Sequence, residues 1–394
     1  MNFIDIAKQN QDFCIKLRRD LHKIPELELN LPETAAYVKK VLDEIGISYK
    51  TYIDGNGISA VVNEDSNGSC IAVRADMDAL EIKEETGLEF CSKYKGRMHA
   101  CGHDGHMAIA LTVLKIVNEY KKELNGKVKF IFQPGEEIPG GAEPMIKQGV
   151  LENPKVDFII GLHEGRISPE LKDGAIGFKN GAAMAAMDKF TLTVCGKGGH
   201  GANPQETIDP IVISAHIINA VQSIISRKIS PNSKSLISIC KINGGTSQNI
   251  IPDSVEMVGT VRTVDKKVQD YIEKLLFEIP EGIAKSYGGH VKLNYERKYP
   301  VLINEEKLTQ EMYEISKSLF PDDTMAIKEP LMGGEDMAFY NEKVPGCYFY
   351  LSNMMKNKDD GQIYPHHSSK FDVDEQQFYK GIAVFLAAIY KKLA

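Results

Sequence analysis

Val128-Lys129-Phe130-Ile131-Phe132-Gln133-Pro134-Gly135-Glu136-Glu137 is the stretch that decides the fold of this chain. An apolar run of strand length, rich in branched and aromatic residues, is broken by a Pro-Gly turn. It then opens at once on two carboxylates. Such runs read as buried strands of an α/β sheet. Cys70–Val73, Phe158–Leu162 and Cys347–Leu351 have the same character. The residues just past these runs are more telling. Arg74, Asp76 and Asp78 come after the first, and His163 and Glu164 after the second. In open α/β sheets, ligands gather beyond the carboxyl ends of the strands. Three strands that deliver charged or ligating residues at one end are hard to explain by core packing. The expectation is an α/β protein whose larger, catalytic domain is a mixed sheet flanked by helices.

Around these strands, Ile4–Ile24 reads as a helix ended by Pro25, and Glu33–Ile45 as a second helix stopped by Gly46. Between about Met187 and Arg297 the rhythm changes. Strands are expected at Phe190–Val194, Ser235–Ile242, Val255–Thr263 and Val291–Tyr295, with helices at Ile208–Ile229 and Val268–Tyr287. That order is βαββαβ, a split ferredoxin-like module inserted in the larger domain. The expected division is 1–186 and 298–394 for the larger domain and 187–297 for the insert. Lys356–Gly361 reads as a solvated loop, and no internal repeat is visible.

The 394 residues exceed what a single core usually holds, in keeping with two domains. With 43% hydrophobic and 26% charged residues, the composition is that of a soluble globular protein. A net charge of −7 without a long basic run argues against nucleic acid or an anionic membrane surface as the partner. The start, Met1-Asn2-Phe3-Ile4-Asp5, lacks the basic-then-apolar pattern of a secretory leader, and no apolar run approaches the roughly 20 residues of a membrane span. Seven scattered cysteines, an odd number, fit free thiols in a reducing cytoplasm. Cys14, Cys70, Cys195, Cys240 and Cys347 read as inert core residues.

The chemistry concentrates in Met98-His99-Ala100-Cys101-Gly102-His103-Asp104-Gly105-His106. A glycine-punctuated turn here presents a thiol and several imidazoles at the start of a helix, whose N-terminus favours thiolate. Thiolate, imidazole and paired carboxylates are what a transition-metal site needs. Of the adjacent Glu136 and Glu137, one can hold a cation while the other faces its water as a base. His163 and one of His366 and His367 are further candidate ligands. His99 and His106 fit a supporting role as well as ligation. In the insert, Gly196–Gly201 is a flexible loop presenting His200, and Gly244–Pro252 is a second polar loop. These residues point to a metal-dependent hydrolase. A structural zinc site fits poorly, because such sites are close-spaced and these candidates span most of the chain.

The residues also resemble a family. Arg74–Leu80, His99–His106, Pro134–Glu137, Gly161–His163, Gly199-His200, Asn249–Asp253, Gly333–Asp336 and His367–Phe371 are similar, in content and order, to motifs of the amidohydrolase branch of the aminoacylase and glutamate-carboxypeptidase metallopeptidases. That branch includes hippurate hydrolases, indoleacetyl-amino-acid hydrolases and N-acetyl-diaminopimelate deacetylases. The resemblance implies two divalent metal ions, with zinc, manganese, cobalt and nickel all admissible. Cys101 would bridge them, and His103, Glu137, His163 and His367 would complete the ligands. His367 is preferred to His366 because it stands four residues before Phe371. Glu136 resembles the catalytic base, His200 the imidazole that meets the scissile carbonyl, and Asn249 a substrate contact. The implied substrate is a small N-acyl amino acid, cleaved to a carboxylate and a free amino acid. The insert would serve as lid and homodimer surface. Glu164, Gln205 and Met337 depart from the usual pattern, which bears on substrate choice rather than on hydrolysis. The alternatives are a dipeptidase or carboxypeptidase with the same metal site, and a non-catalytic metal- or ligand-binding homologue.

Overall fold

The computed structural model describes residues 1–357 and 360–393, so Lys358 and Asp359 of the expected Lys356–Gly361 loop lie outside the described residues. The chain divides into two compact units. One comprises Met1–Ala183, Ile303–Glu329 and Asp336–Ala394, and the other Met184–Leu302 with Pro330–Glu335.

The first unit is built on an eight-stranded sheet. Its four central strands run parallel in the spatial order Lys127–Gln133, Cys70–Asp76, Phe158–Glu164 and Gly346–Leu351. Antiparallel pairing enters only toward the edges, at Tyr49–Tyr52, Gly57–Val62 and Ile176–Phe178, so the sheet is mixed. Parallel strands need cover on both faces, and those of Cys70–Asp76 and Gly346–Leu351 are buried along their whole length. The helix His103–Glu119 is buried on nearly every side, so its sequence is apolar all round rather than striped. Because the central strands share a direction, their carboxyl ends lie along one rim of the sheet. That rim carries Asp76–Asp78, Gln133–Glu137 and His163-Glu164.

The N-terminal helix differs from the expectation. It is two helices, Phe3–Gln9 and Gln11–His22. Asn10 separates them, its side-chain amide donating to the carbonyl of Ile6 at 3.0 Å. Asparagine competes for backbone hydrogen bonds in this way, which interrupts an otherwise helical pattern.

The second unit carries a four-stranded antiparallel sheet in the order Ser235–Asn243, Ser254–Thr263, Ala186–Cys195, His290–Tyr299. Its helices are Pro210–Ser223, continued by a short wide turn at Ile224–Lys228, and Lys266–Ser286. Phe190, Leu192, Ile217, Met257, Ile272 and Leu276 form its core. Pro330–Glu335 joins this unit because the Ala185 N–H donates to the carbonyls of Leu331 and Gly333. All seven cysteines are free. Cys14, Cys70 and Cys347 are buried as expected, but Cys195 is half-buried and Cys240 exposed. Cys240 lies on Ser235–Asn243, an edge strand whose second half faces solvent, so its apolar neighbours in sequence do not make it core.

Candidate metal centre

The turn before the helix His103–Glu119 is shaped by a side chain from a neighbouring strand. Glu164 is fully buried and packs against Gly102 and Gly105. A β-carbon on Gly105 would stand 1.9 Å from Glu164 Oε1, and Gly102 has a φ of 90°, so both positions require glycine. This holds Cys101 and His103 against the carboxyl end of Phe158–Glu164.

Two histidines are oriented alike. His103 donates from Nδ1 to the Asp78 carbonyl at 2.8 Å, and His163 from Nδ1 to the Glu164 carbonyl at 2.7 Å. A carbonyl only accepts, so Nδ1 carries the hydrogen and Nε2 is left for another partner. That is how proteins orient metal-binding imidazoles. His163 Nε2 lies 3.6 Å from Cys101 Sγ. His103 Nε2 is buried with no hydrogen-bond partner among the described residues.

The ligating atoms of Cys101, His103 and His163 lie within 4.8 Å of one another, and so do those of Cys101, Glu137 and His367. The two triads share the Cys101 thiol. His103, Glu136 and Glu137 form a further group on the same criterion. All five residues expected to hold metal are therefore brought together, with Glu136 beside them. His367 Nε2 is 3.0 Å from Glu137 Oε1, and its φ of 63° is left-handed, a cost that side chains accept mainly at functional sites.

The electrostatics suit a cation. Burial pushes the Cys101 thiol well above its usual range, and the Glu137 and Glu136 carboxylates push it further. The thiolate expected at this helix N-terminus is thus opposed by desolvation beside two anions. Only a stronger positive charge, such as a divalent cation, would release that proton. Burial alone would depress His103, but Asp76 and Asp78 raise its pKa to about 10. The carboxylates that hold a proton there would equally attract a metal in its place. Burial and the His106 ring keep His163 neutral, the form that binds metal. Soft and borderline donors, orphaned Nε2 and excess negative charge thus fit a pair of divalent cations.

The remaining histidines divide on geometry. His106 donates from Nδ1 to Asp76 Oδ1 at 2.6 Å and accepts the Glu164 N–H on Nε2 at 2.9 Å, so neither nitrogen is left to ligate. His366 donates from Nε2 to the Glu164 carbonyl at 3.0 Å and packs on Phe371. His99 is buried outside both triads, and burial lowers its pKa to about 3.

Several supporting residues have no role that the sequence alone assigns. Asp78 accepts the backbone N–H groups of Glu136 and Glu137 at 2.8 and 3.0 Å, fixing the direction in which the two carboxylates diverge. Arg74 reaches Asp76 and Asp336, each at 2.7 Å, and Gln133 at 3.0 Å. Asp104 belongs to the ligand turn but points away, to Arg18 at 2.9 Å and His22 at 2.7 Å. The signal for these residues was their alternation with ligating positions just after strands.

His200 and Asn249 lie in the second unit. His200 pairs with Ile250 in a two-stranded ribbon, and the Gly201 N–H donates to the Asn249 carbonyl at 2.9 Å. The exposed His200 ring accepts the Ala202 N–H on Nδ1 at 3.0 Å. Its hydrogen is therefore on Nε2, free to donate.

A profile of the peptidase family M20/M25/M40 matches residues 72–391. Thermostable carboxypeptidase 1 of Saccharolobus solfataricus is 40% identical over 373 residues, 94% of this chain and 92% of that protein. N-acetyl-L-cysteine deacetylase of Bacillus subtilis is 37% identical over 399 residues, covering 100% of this chain and 90% of that one. A solved structure of a dinuclear metal-binding peptidase of the M20 family from Bacillus subtilis has a TM-score of 0.84 at 33% identity, covering 98% of this chain and 99% of that one.

Proposed function

We infer the function from the premise that this chain belongs to the peptidase family M20/M25/M40: it is a metal-dependent amidohydrolase that cleaves N-acyl amino acids to a carboxylate and a free amino acid. The observation that carries this reading is the pair of triads sharing Cys101. Cys101, His103 and His163 would hold one divalent cation, and Cys101, Glu137 and His367 the other. The bound pair supplies the positive charge that acidifies water and polarises the scissile carbonyl. Glu136, directed by Asp78, takes the proton of the attacking water and delivers it to the leaving amine. The Nε2–H of His200 donates to the carbonyl oxygen as negative charge develops there. Asn249, on the segment paired with His200, contacts the substrate. Thiolate with imidazole suits zinc, while manganese, cobalt and nickel remain compatible with the mixed donor set.

The test is a panel of acetyl-, benzoyl- and aminoacyl-amino acids, assayed before and after chelation. Release of amino acid should vanish on chelation and return with two equivalents of metal. Equal rates with and without chelator would overturn the reading. Preference for aminoacyl substrates would favour a carboxypeptidase or dipeptidase, the reading supported by the 40% identical carboxypeptidase.

The second unit is proposed as a ferredoxin-like lid and homodimer surface. Its element order and sheet order support this, as do the exposed Ile211, Val212 and Ile242 and the exposed edge strand Ser235–Asn243. Sedimentation of Ile242→Lys should show dissociation to monomer. An unchanged dimer would move the interface elsewhere. We place the enzyme in the cytoplasm, with neither nucleic acid nor membrane as partner. Seven free cysteines and the acidic balance support this, and no helix among the described residues is long and apolar enough to cross a membrane. Recovery in the membrane pellet on cell fractionation would contradict it.

A further inference from the structure

One cleft of the first unit, about 400 Å³, opens beside Glu137 and His367. Its walls are Leu27, Leu80, Ile82 and Ile138, and its other acidic lining residues are Glu28 and Glu81, both exposed at its mouth. The size suits one substituent of a small amide. Ile138 is 65% exposed, an apolar side chain beside the reacting groups that a ligand would cover. Neither Glu28 nor Glu81 makes a side-chain hydrogen bond or ion pair among the described residues, and no lysine or arginine lines the cleft.

The walls are held in place by the backbone. Leu27 and Ala79 are bridged, with the Ala79 N–H donating to the Glu26 carbonyl at 2.8 Å, and Leu80 is bridged to Met98. Glu26 accepts the N–H groups of Glu33 and Thr34 at the start of the next helix. Glu28 itself is left-handed, with a φ of 62°, which makes it, like His367, a strained residue on this cleft. Its backbone is thus tied down through the preceding residues, while its side chain is exposed.

We propose that this cleft selects the substrate: it receives an apolar substituent of the scissile amide, and Glu28 and Glu81 make it favour a cationic tip and reject an anionic one. The proposal rests on the amidohydrolase reading for the nature of the ligand. A carboxylate at the far tip of the substituent would meet two unpaired carboxylates, with no lysine or arginine in the lining to offset them. An ammonium would meet them favourably. In water, one such contact is worth about a fivefold change in affinity, and it weakens with salt.

The test uses full-length, metal-loaded protein and two matched series. One varies the acyl group on methionine: hexanoyl, 6-aminohexanoyl and 5-carboxypentanoyl. The other varies the amino acid under a fixed acetyl group: norleucine, lysine and glutamate. Within at least one series, kcat/KM should fall from cationic through neutral to anionic by roughly three- to tenfold per step. In Glu28→Gln/Glu81→Gln the ratio of anionic to neutral substrate should rise toward one, and 0.5 M salt should have the same effect. Binding of the same compounds to Glu136→Gln protein, measured by calorimetry, gives a second reading free of turnover. If nothing is hydrolysed but the double substitution still shifts the binding ratio, the amidohydrolase reading falls and the cleft assignment stands. If hydrolysis proceeds and the double substitution leaves both ratios unchanged in both series, the cleft assignment is overturned. Absence of any binding difference in either series overturns it as well.

Discussion

Cys101, His103 and His163 are buried, and each histidine is aimed by a hydrogen bond from its far nitrogen. His200 and Asn249, by contrast, lie on exposed loops held by a two-residue ribbon. The first region fits a task that fails if an atom moves by an ångström. Metal ligands must be dry, deprotonatable and fixed before the cation arrives. The second fits residues that meet the substrate only after it has entered, since groups that close on a ligand come from the less stable parts of a fold. The cost of losing a residue should therefore differ in kind between the two. In the buried centre, ligand loss removes metal. On the loops, side-chain loss slows turnover and leaves metal alone.

Glu136 gives the largest effect and the strongest test, because it lies in the buried centre without being a proposed ligand. Glu136→Gln should lower turnover by about 10²–10⁴-fold, the usual loss for a general base, with both metal equivalents retained by elemental analysis. Loss of metal would break the division of labour between Glu136 and Glu137. His200→Ala should lower kcat by roughly 10²–10³-fold, as for removal of an oxyanion donor, with metal content and melting temperature unchanged. Mixing it with Glu136→Gln sharpens the test. If His200 serves the partner's site, heterodimers regain one complete site and activity rises above both parents. No recovery, with subunit exchange shown independently, would confine His200 to its own chain or remove it from catalysis.

The two adjacent histidines, His366 half-buried and His367 exposed, test the metal centre on a smaller scale. His367→Ala should weaken metal binding by more than the roughly 10–100-fold typical of a residue that only orients a ligand, and His366→Ala by no more than that. The reverse order in competition with a chelating dye would transfer the ligand to His366. Cys101 should be alkylated slowly in metal-free protein, since burial holds the thiol protonated, and faster as pH rises. Bound metal should block the reaction, and equal rates for apo and loaded protein would remove Cys101 from the ligand set.

The smallest effect concerns the charge network behind the ligand turn. Burial raises the pKa of Glu84, but hydrogen bonds from His22, Thr86 and the Ser92 N–H bring it down to about 2. Between the ordinary 4.5 and about 2 the unfolded chain binds the extra proton. The stability Glu84 contributes is thus complete above about pH 4.5 and lost as pH falls toward 2. Chelator-treated Glu84→Gln should be destabilised by roughly 1–2 kcal/mol at pH 6 and converge on the parent only as pH falls to about 2 in denaturation measurements. A constant gap from pH 6 down to about 2 would mean that the carboxylate charge plays no part.

Much of this was legible in the residues themselves. Unbroken apolar runs marked the central strands, because a parallel strand covered on both faces is apolar throughout. Glu136, Glu137 and His163 came at the ends of two of those strands, so their convergence on one rim could be expected before any coordinates. Three matters needed tertiary structure, and for one reason: they depend on what stands opposite a residue, which spacing along the chain does not contain. His106 and His366 have the same ring as His103 and His163, but both nitrogens of His106 are taken and His366 falls outside the two triads. Asp78 directs both glutamates from 58 and 59 residues away, a contact made by strand pairing. At the Cys101 thiol, placed at a helix N-terminus, desolvation and two carboxylates from another loop hold the proton on. The order of residues therefore determined which chemistry this chain can perform, and packing decided which of several identical side chains are placed to perform it.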